Sequence, residues 1–169
     1  MHKNGHTVEK IGGTSMRQVN IVLNNILLGD RKNNEIYNRI FVVSAYSGMT
    51  DLLLEHKKTA EPGVYKRFSA ADNKWAWSDA LSKLCAEMCS INAEIFDDKT
   101  DLRDADRFIS DRIEGVRNCL IDLQRICSYG HFKLKEHLAT VREMLSAIGE
   151  AHSAFNTALL LQKRGVNAQ

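Results

Sequence analysis

Lys10-Ile11-Gly12-Gly13-Thr14-Ser15 puts a lysine ahead of paired glycines and two hydroxyls, a grouping suited to holding phosphate. A Gly-Gly turn lets backbone N–H groups come close to an anion. A helix starting beyond it offers its positive end, and the ammonium adds a full charge. The residues from Thr7 read as a short strand that delivers Lys10 to the mouth of the turn, with Thr14 or Ser15 expected to cap a long amphipathic helix. In the P-loop pattern the lysine follows the glycines, and a dinucleotide fingerprint needs G-x-G-x-x-G, so neither site is supported.

A second candidate group follows the apolar run Ile40-Phe41-Val42-Val43-Ser44, which fits an inner strand of a parallel sheet covered on both faces. In such sheets ligands bind at the carboxyl ends of strands. Ser44 and the loop Ala45-Tyr46-Ser47-Gly48-Met49-Thr50-Asp51 stand there, and the hydroxyls of Ser44, Ser47 and Thr50 can bond a small substrate. The acid singled out is Glu150, beside Gly149 at an expected helix junction where a ligand can approach the backbone; a solvated helix residue fits the same position. Glu150 and His152 are two apart on a helix and point away from each other, so they make no metal pair. His2, His6, His56, His131 and His137 are scattered, and Asp97, Asp98, Asp101 and Asp104 lack the glycine and glutamate of a calcium loop. No metal site is expected.

The elements that must position these groups follow from periodicity. Val19, Val22, Leu23, Ile26 and Leu27 predict a helix over 16–28 closed by Gly29, and 30–38 is polar connection. Together with the two strands this makes a β-α-β unit, whose crossover is expected to be right-handed. A helix is expected over 52–58, before the lone proline, Pro62. Two long patterns, 72–96 and about 104–127, predict a helical hairpin linked by the polar residues 97–101, with Trp75 and Trp77 as packing residues. A third pattern starts near Lys135, is interrupted at Gly149-Glu150, resumes over 151–162 and ends at Arg164-Gly165. Val166 to Gln169 reads as the approach to a further strand.

A chain of 169 residues with 44% hydrophobic content allows one domain with a sizeable core. A net charge of +2 gives no reason to expect nucleic acid or a membrane surface as partner. The opening Met1 to His6 is too polar for a signal peptide and no apolar run reaches membrane-spanning length, so a cytoplasmic location is expected. Cys85, Cys89, Cys119 and Cys127 all lie in helical patterns without C-x-x-C spacing, which speaks against zinc, and Cys85 and Cys89, one turn apart on a face shared with Leu81, Leu84 and Met88, are expected to be buried as small apolar residues.

Three segments together resemble the aspartokinase family: Val8-Glu9-Lys10-Ile11-Gly12-Gly13-Thr14-Ser15, Val42 through Leu53, and Leu145-Ser146-Ala147-Ile148-Gly149-Glu150 with Arg164-Gly165-Val166-Asn167-Ala168. Trp75-Ala76-Trp77, Arg112 to Arg117 and Gly149 to Ala154 look more like the divergent aspartokinases associated with ectoine synthesis. The resemblance implies an α/β chain, the N-terminal half of an amino-acid-kinase (carbamate-kinase-like) αβα fold with a mostly parallel sheet. Residues 1–169 would be a partial kinase domain with a helical insertion at 70–130, lacking the second half and the regulatory ACT domains.

The implied reaction moves the ATP γ-phosphoryl, with Mg²⁺, to the side-chain carboxylate of L-aspartate. By matching position Lys10 would neutralise charge on the transferring phosphoryl, and Gly12, Gly13, Thr14 and Ser15 would form the phosphate-side loop. Ser44, Ser47 and Thr50 would bind substrate, and Glu150 would hold its α-amino group. The departure from the family is the absent half. The chain is therefore expected to be a fragment without activity of its own, from an enzyme expected to be a homo-oligomer, and its open sheet edge to promote self-association. The competing expectations are another amino-acid kinase and a noncatalytic module built on half a kinase fold.

Overall fold

The computed structural model describes residues 5–70 and 75–169; the start of the polar opening and Asp72, the expected start of the first long helix, lie outside them. β1 (Thr7–Ile11) and β2 (Arg39–Val43) pair in parallel, from Thr7 opposite Arg39 to Ile11 opposite Val43. The ladder runs one step further, where the Ser44 N–H donates to the Ile11 carbonyl at 3.0 Å. The chain is thus α/β, mostly helical with a small two-stranded parallel sheet.

Only one face of this sheet is covered, contrary to the expectation of two. Ile11, Phe41 and Val43 pack into the core, while Val8, Ile40 and Val42 are 67%, 50% and 49% exposed. A continuous apolar run marks both faces as apolar, and which of them is covered depends on elements the run does not encode.

The long helix expected after the Gly-Gly turn is broken. Gly12 takes the cap position, α1 (Gly13–Met16) and α2 (Val19–Val22) are separated at Gln18, whose φ and ψ of −100° and 51° are not helical, and a π-helical turn covers Leu23–Leu28. Thr14 and Ser15 therefore lie inside the first turn and cap nothing. Gly29, at φ 58°, ends the segment as expected. Arg39 fastens this segment to the sheet: its guanidinium forks onto both Glu9 carboxylate oxygens at 2.7 Å and donates to the Leu27 and Ile26 carbonyls at 2.5 and 2.9 Å. Those carbonyls belong to the last turn, where a helix leaves acceptors unpaired.

The next helix comes earlier and is shorter than expected: α3 spans Met49–Leu53. Past it, the His56 Nδ1 accepts from the Lys58 and Thr59 backbone N–H groups and turns the chain, so residues 54–58 do not continue a helix. α4 (Val64–Ala70), which periodicity did not reveal, follows Pro62-Gly63 and buries Val64 and Phe68.

α5 (Ala76–Ile95) and α6 (Lys99–Ser128) form the antiparallel hairpin expected from the sequence. Asp98 caps α6, accepting from the Thr100 and Asp101 N–H groups at 2.9 and 3.1 Å, which holds its carboxyl below the usual carboxylate range. Trp77 is buried edge-on against Phe68, whereas Trp75 is 57% exposed.

α7 (Leu134–Lys163) runs unbroken through Gly149 and Glu150, so the expected interruption is absent. It lies antiparallel to α6, with Phe108 stacked on Phe155 and the Lys163 ammonium 2.6 Å from the Asp101 carboxylate. It also packs against α3, α4 and β2. Residues 166–169 form no strand. Instead Val166 and Ala168 pack on the core, and the Gln162 side-chain amide donates to the Ala168 carbonyl.

Cys85 and Cys89, expected to be buried, are half-buried; Cys127 is half-buried as well and Cys119 is exposed. Burial, with Asp106 adjacent, pushes the Cys89 thiol up to about 12. Among the described residues no helix is long and apolar enough to cross a membrane.

Candidate functional site

The parallel register brings the end of β1 abreast of the end of β2, so the Gly-Gly turn and the Ser44–Gly48 segment leave the sheet side by side. Gly13 closes on this segment so tightly that a Cβ on it would meet the Ala45 carbonyl oxygen at 2.7 Å. From the other side Gly149 of α7 does the same, and its Cβ would sit 2.7 Å from the Ala45 Cβ and 3.3 Å from Leu53. Two glycines distant in sequence thus close on one alanine at the rim of the sheet. There the missing side chains let the Gly13 backbone approach the Ala45 backbone, and the α7 backbone approach the Ala45 methyl.

The other candidates are arranged around this contact. Ser44 and Thr50 are half-buried, and Ser47, Thr14 and Ser15 are exposed. Gly48, at φ 90°, starts α3 in a left-handed conformation that favours glycine. Lys10, opposite Val42, leaves β1 on the open face with Val8, and Glu150 is exposed on α7 one residue beyond Gly149. Among the described residues no hydrogen bond or ion pair joins Lys10, Thr50 and Glu150 to one another. The fold gathers Gly12, Gly13, Ser44 and Gly149 at one rim. A cleft of about 540 Å³ opens beside Gly48 and Asp51, lined also by Arg17, His56, Arg67 and Lys83, and none of Lys10, Ser44, Thr50 or Glu150 lines it.

Beneath the rim lies a buried polar cluster that the sequence reading passed over. The Asn156 side-chain amide donates to the Tyr46 hydroxyl at 3.2 Å and to the Asn92 Oδ1 at 2.8 Å. His152 Nε2 also donates to Asn92 Oδ1, at 2.7 Å, and the Asn92 amide donates to the Asp106 carboxylate at 2.9 Å. Asn92, His152 and Asn156 have no solvent exposure, and Tyr46 meets the imidazole edge-on at 5.1 Å. Burial lowers the His152 pKa to about 4, so the ring is neutral near pH 7, and burial raises the Tyr46 hydroxyl to about 12. A neutral ring that donates through Nε2 carries a bare Nδ1. That atom and the Asn156 Oδ1 are buried acceptors without a protein partner.

The chain is 57% identical over 164 residues to Aspartate kinase Ask_Ect of Stutzerimonas stutzeri (strain A1501). The resemblance to aspartokinases of the ectoine-associated type is borne out. The match takes in 97% of this chain, which spans about a third (34%) of the length of that aspartate kinase. No family profile matches the chain. No solved structure matches it. Among the described residues no group of three or more His, Cys, Asp or Glu is placed to hold a metal ion.

Proposed function

We propose that this chain is the portion of an aspartate kinase that holds the amino-acid acceptor and the phosphate-side turn, in a partial amino-acid-kinase domain of which 70–130 is a helical insertion. The observation that carries the reading is the convergence of Gly13 and Gly149 on Ala45, in a chain 57% identical to an aspartate kinase. That contact ties the turn after Lys10, the hydroxyl loop after Ser44 and the helix bearing Glu150 to a single rim.

The chemistry asked of these residues is positioning and charge stabilisation. Phosphoryl transfer needs little covalent work from the protein, and an aspartate side-chain carboxylate, already ionised at neutral pH, is its own nucleophile. In this reading Lys10 offsets the charge spreading over the transferring phosphoryl, while the backbone N–H groups of Gly12 and Gly13, with Thr14 and Ser15, face its oxygens. Ser44, Ser47 and Thr50 bond the acceptor, and Glu150 pairs with its α-ammonium. The product is 4-phospho-L-aspartate, an activated acid for aspartate-family amino acid or ectoine synthesis.

ATP and Mg²⁺ belong to the complete enzyme. Mg²⁺ keeps several waters and binds through one or two carboxylates and the phosphates. A coupled ADP-release assay tests the proposal. The complete enzyme should turn over L-aspartate in preference to L-glutamate, while residues 1–169 alone should give no turnover. Indifference to aspartate in the complete enzyme, or turnover by the isolated chain, would defeat it.

A further inference from the structure

The buried amides form a route from the helical hairpin to the rim. Asn92 stands near the C-terminal end of α5, Asp106 on α6, His152 and Asn156 one turn apart on α7, and Tyr46 inside the segment that carries Ser44 and Ser47. Asn92 is the hub. Its Oδ1 accepts from both α7 side chains and its amide donates to α6, so three helices are tied at one side chain. The two protons of the Asn156 amide are used on Asn92 and Tyr46, so the orientation of one amide is set by α5 and read out at the loop. In a low-dielectric interior such bonds are directional and costly to break, so the bonds made here favour one arrangement of Asn92, Asn156 and Tyr46 even though His152 Nδ1 and Asn156 Oδ1 are left without a protein partner.

Burial alone would be served by apolar side chains here. Ile148, His152, Asn156 and Leu160 fall at four-residue steps on the core face of α7, and the two polar members are the ones that touch the loop segment or its hub. We infer that Asn92 and Asn156 are positioning residues, which act through the Tyr46 hydroxyl to fix the Ser44–Gly48 segment and so let the α5–α6 hairpin set the acceptor geometry. The last step rests on the aspartate kinase reading; the coupling between hairpin and loop does not.

The test has two arms, so that these two parts can fail separately. In the 169-residue chain, hydrogen exchange is followed at the amides of Ser44, Met49 and Leu52, which bond to Ile11, Tyr46 and Gly48. Tyr46→Phe removes the hydroxyl and keeps the ring, and should speed exchange at these three amides by roughly tenfold, the loss of about one hydrogen bond, while the middle of α6 is unchanged. Asn92→Leu should do the same or more, and if it does not fold, Tyr46→Phe decides. Ile113→Val, buried in α6 away from the network, is the control for general loosening. Exchange in Tyr46→Phe that stays at the wild-type rate, or rises evenly along the chain as in the control, would overturn the coupling. In the complete enzyme Tyr46→Phe should raise the aspartate KM roughly fivefold or more and leave the ATP KM alone, an effect general destabilisation would not single out. Equal shifts in both KM values would overturn the positioning role. Selective exchange without any aspartate turnover would retain the coupling and reject the acceptor.

Discussion

Gly149 lies against Ala45 with no room for a side chain between them, since a Cβ on the glycine would come within 2.7 Å of the alanine Cβ. Helix α7 therefore rests directly on the segment that follows β2. Gly149→Ala adds one methyl at a contact with no slack. Helix propensity alone would favour the alanine by about 1 kcal/mol, yet overpacking of this kind costs about 1–3 kcal/mol. A net loss of stability in urea melts is expected, together, on the aspartate kinase reading proposed above, with a raised aspartate KM in the complete enzyme. A more stable variant with unchanged kinetics would show that the contact yields.

His152 gives the fold a pH dependence of calculable sign. Its pKa falls from 6.5 to about 4 on folding, so between those values the unfolded chain binds more protons than the native one. Stability is accordingly full above pH 6.5 and is lost as the pH falls toward 4, by up to about 3 kcal/mol. The lowered carboxylates Glu9 and Asp98 begin to give way only as the pH falls to their ordinary values of 4.5 and 3.8, so above about pH 5 the slope belongs to the imidazole. Denaturant midpoints measured from pH 7.5 to 4.5 should slope in the wild type and flatten in His152→Gln.

Arg39 serves two structures at once, and lysine cannot replace it there. The guanidinium side chain is 5% exposed and spreads over Glu9 and two carbonyls, a pattern that needs a planar fork. Arg39→Lys keeps the charge and loses most of these bonds, at a cost of about 1–3 kcal/mol. Thermal melts should show that loss, with near-wild-type stability in the lysine variant as the contrary result. The Glu9 carboxyl, held low chiefly by its bond to Arg39, should titrate higher in the same variant.

Lys10 is exposed and lies outside the core, so removing it should leave the fold intact. In the complete enzyme Lys10→Ala should cut kcat by roughly a hundredfold or more, with a much smaller change in aspartate KM, if its charge serves the transition state. Unchanged kcat would remove Lys10 from the mechanism.

Much of this organisation is legible in the sequence, and the gaps have physical causes. The parallel pair and the α5–α6 hairpin follow from apolar runs and helical spacing. Gly149 misleads because glycine is read as a breaker. Here its missing side chain lets a long helix run past Ala45, and packing outweighs propensity. The helix after Gly13 misleads in the opposite way: Val19 to Leu27 keep helical spacing, yet Gln18 departs from helical geometry and a π-helical turn closes the segment. Asn92, His152 and Asn156 could have been found by asking why polar residues share the buried stripes of Ile91 and Ile148. His152 lacks a partner at metal-ligand spacing, and the two amides carry no motif of their own.

The lengths of the last two helices have a mechanical consequence. At 30 residues each, α6 and α7 are about 45 Å long, against about 30 Å for the 20-residue α5. Arg117 meets Ser78 near the start of α5, so the turns of α6 beyond it extend past α5 as an arm paired with α7 through Leu120 and Leu123, with Tyr129 and Phe132 bare at the tip. A swing of about 10° about the fulcrum at Asn92 and Asp106, about 33 Å from the end of α6, would carry the tip roughly 6 Å while shifting the rim by a small fraction of that. Force applied far out on that arm would reach Tyr46 geared down, as a small, strong nudge.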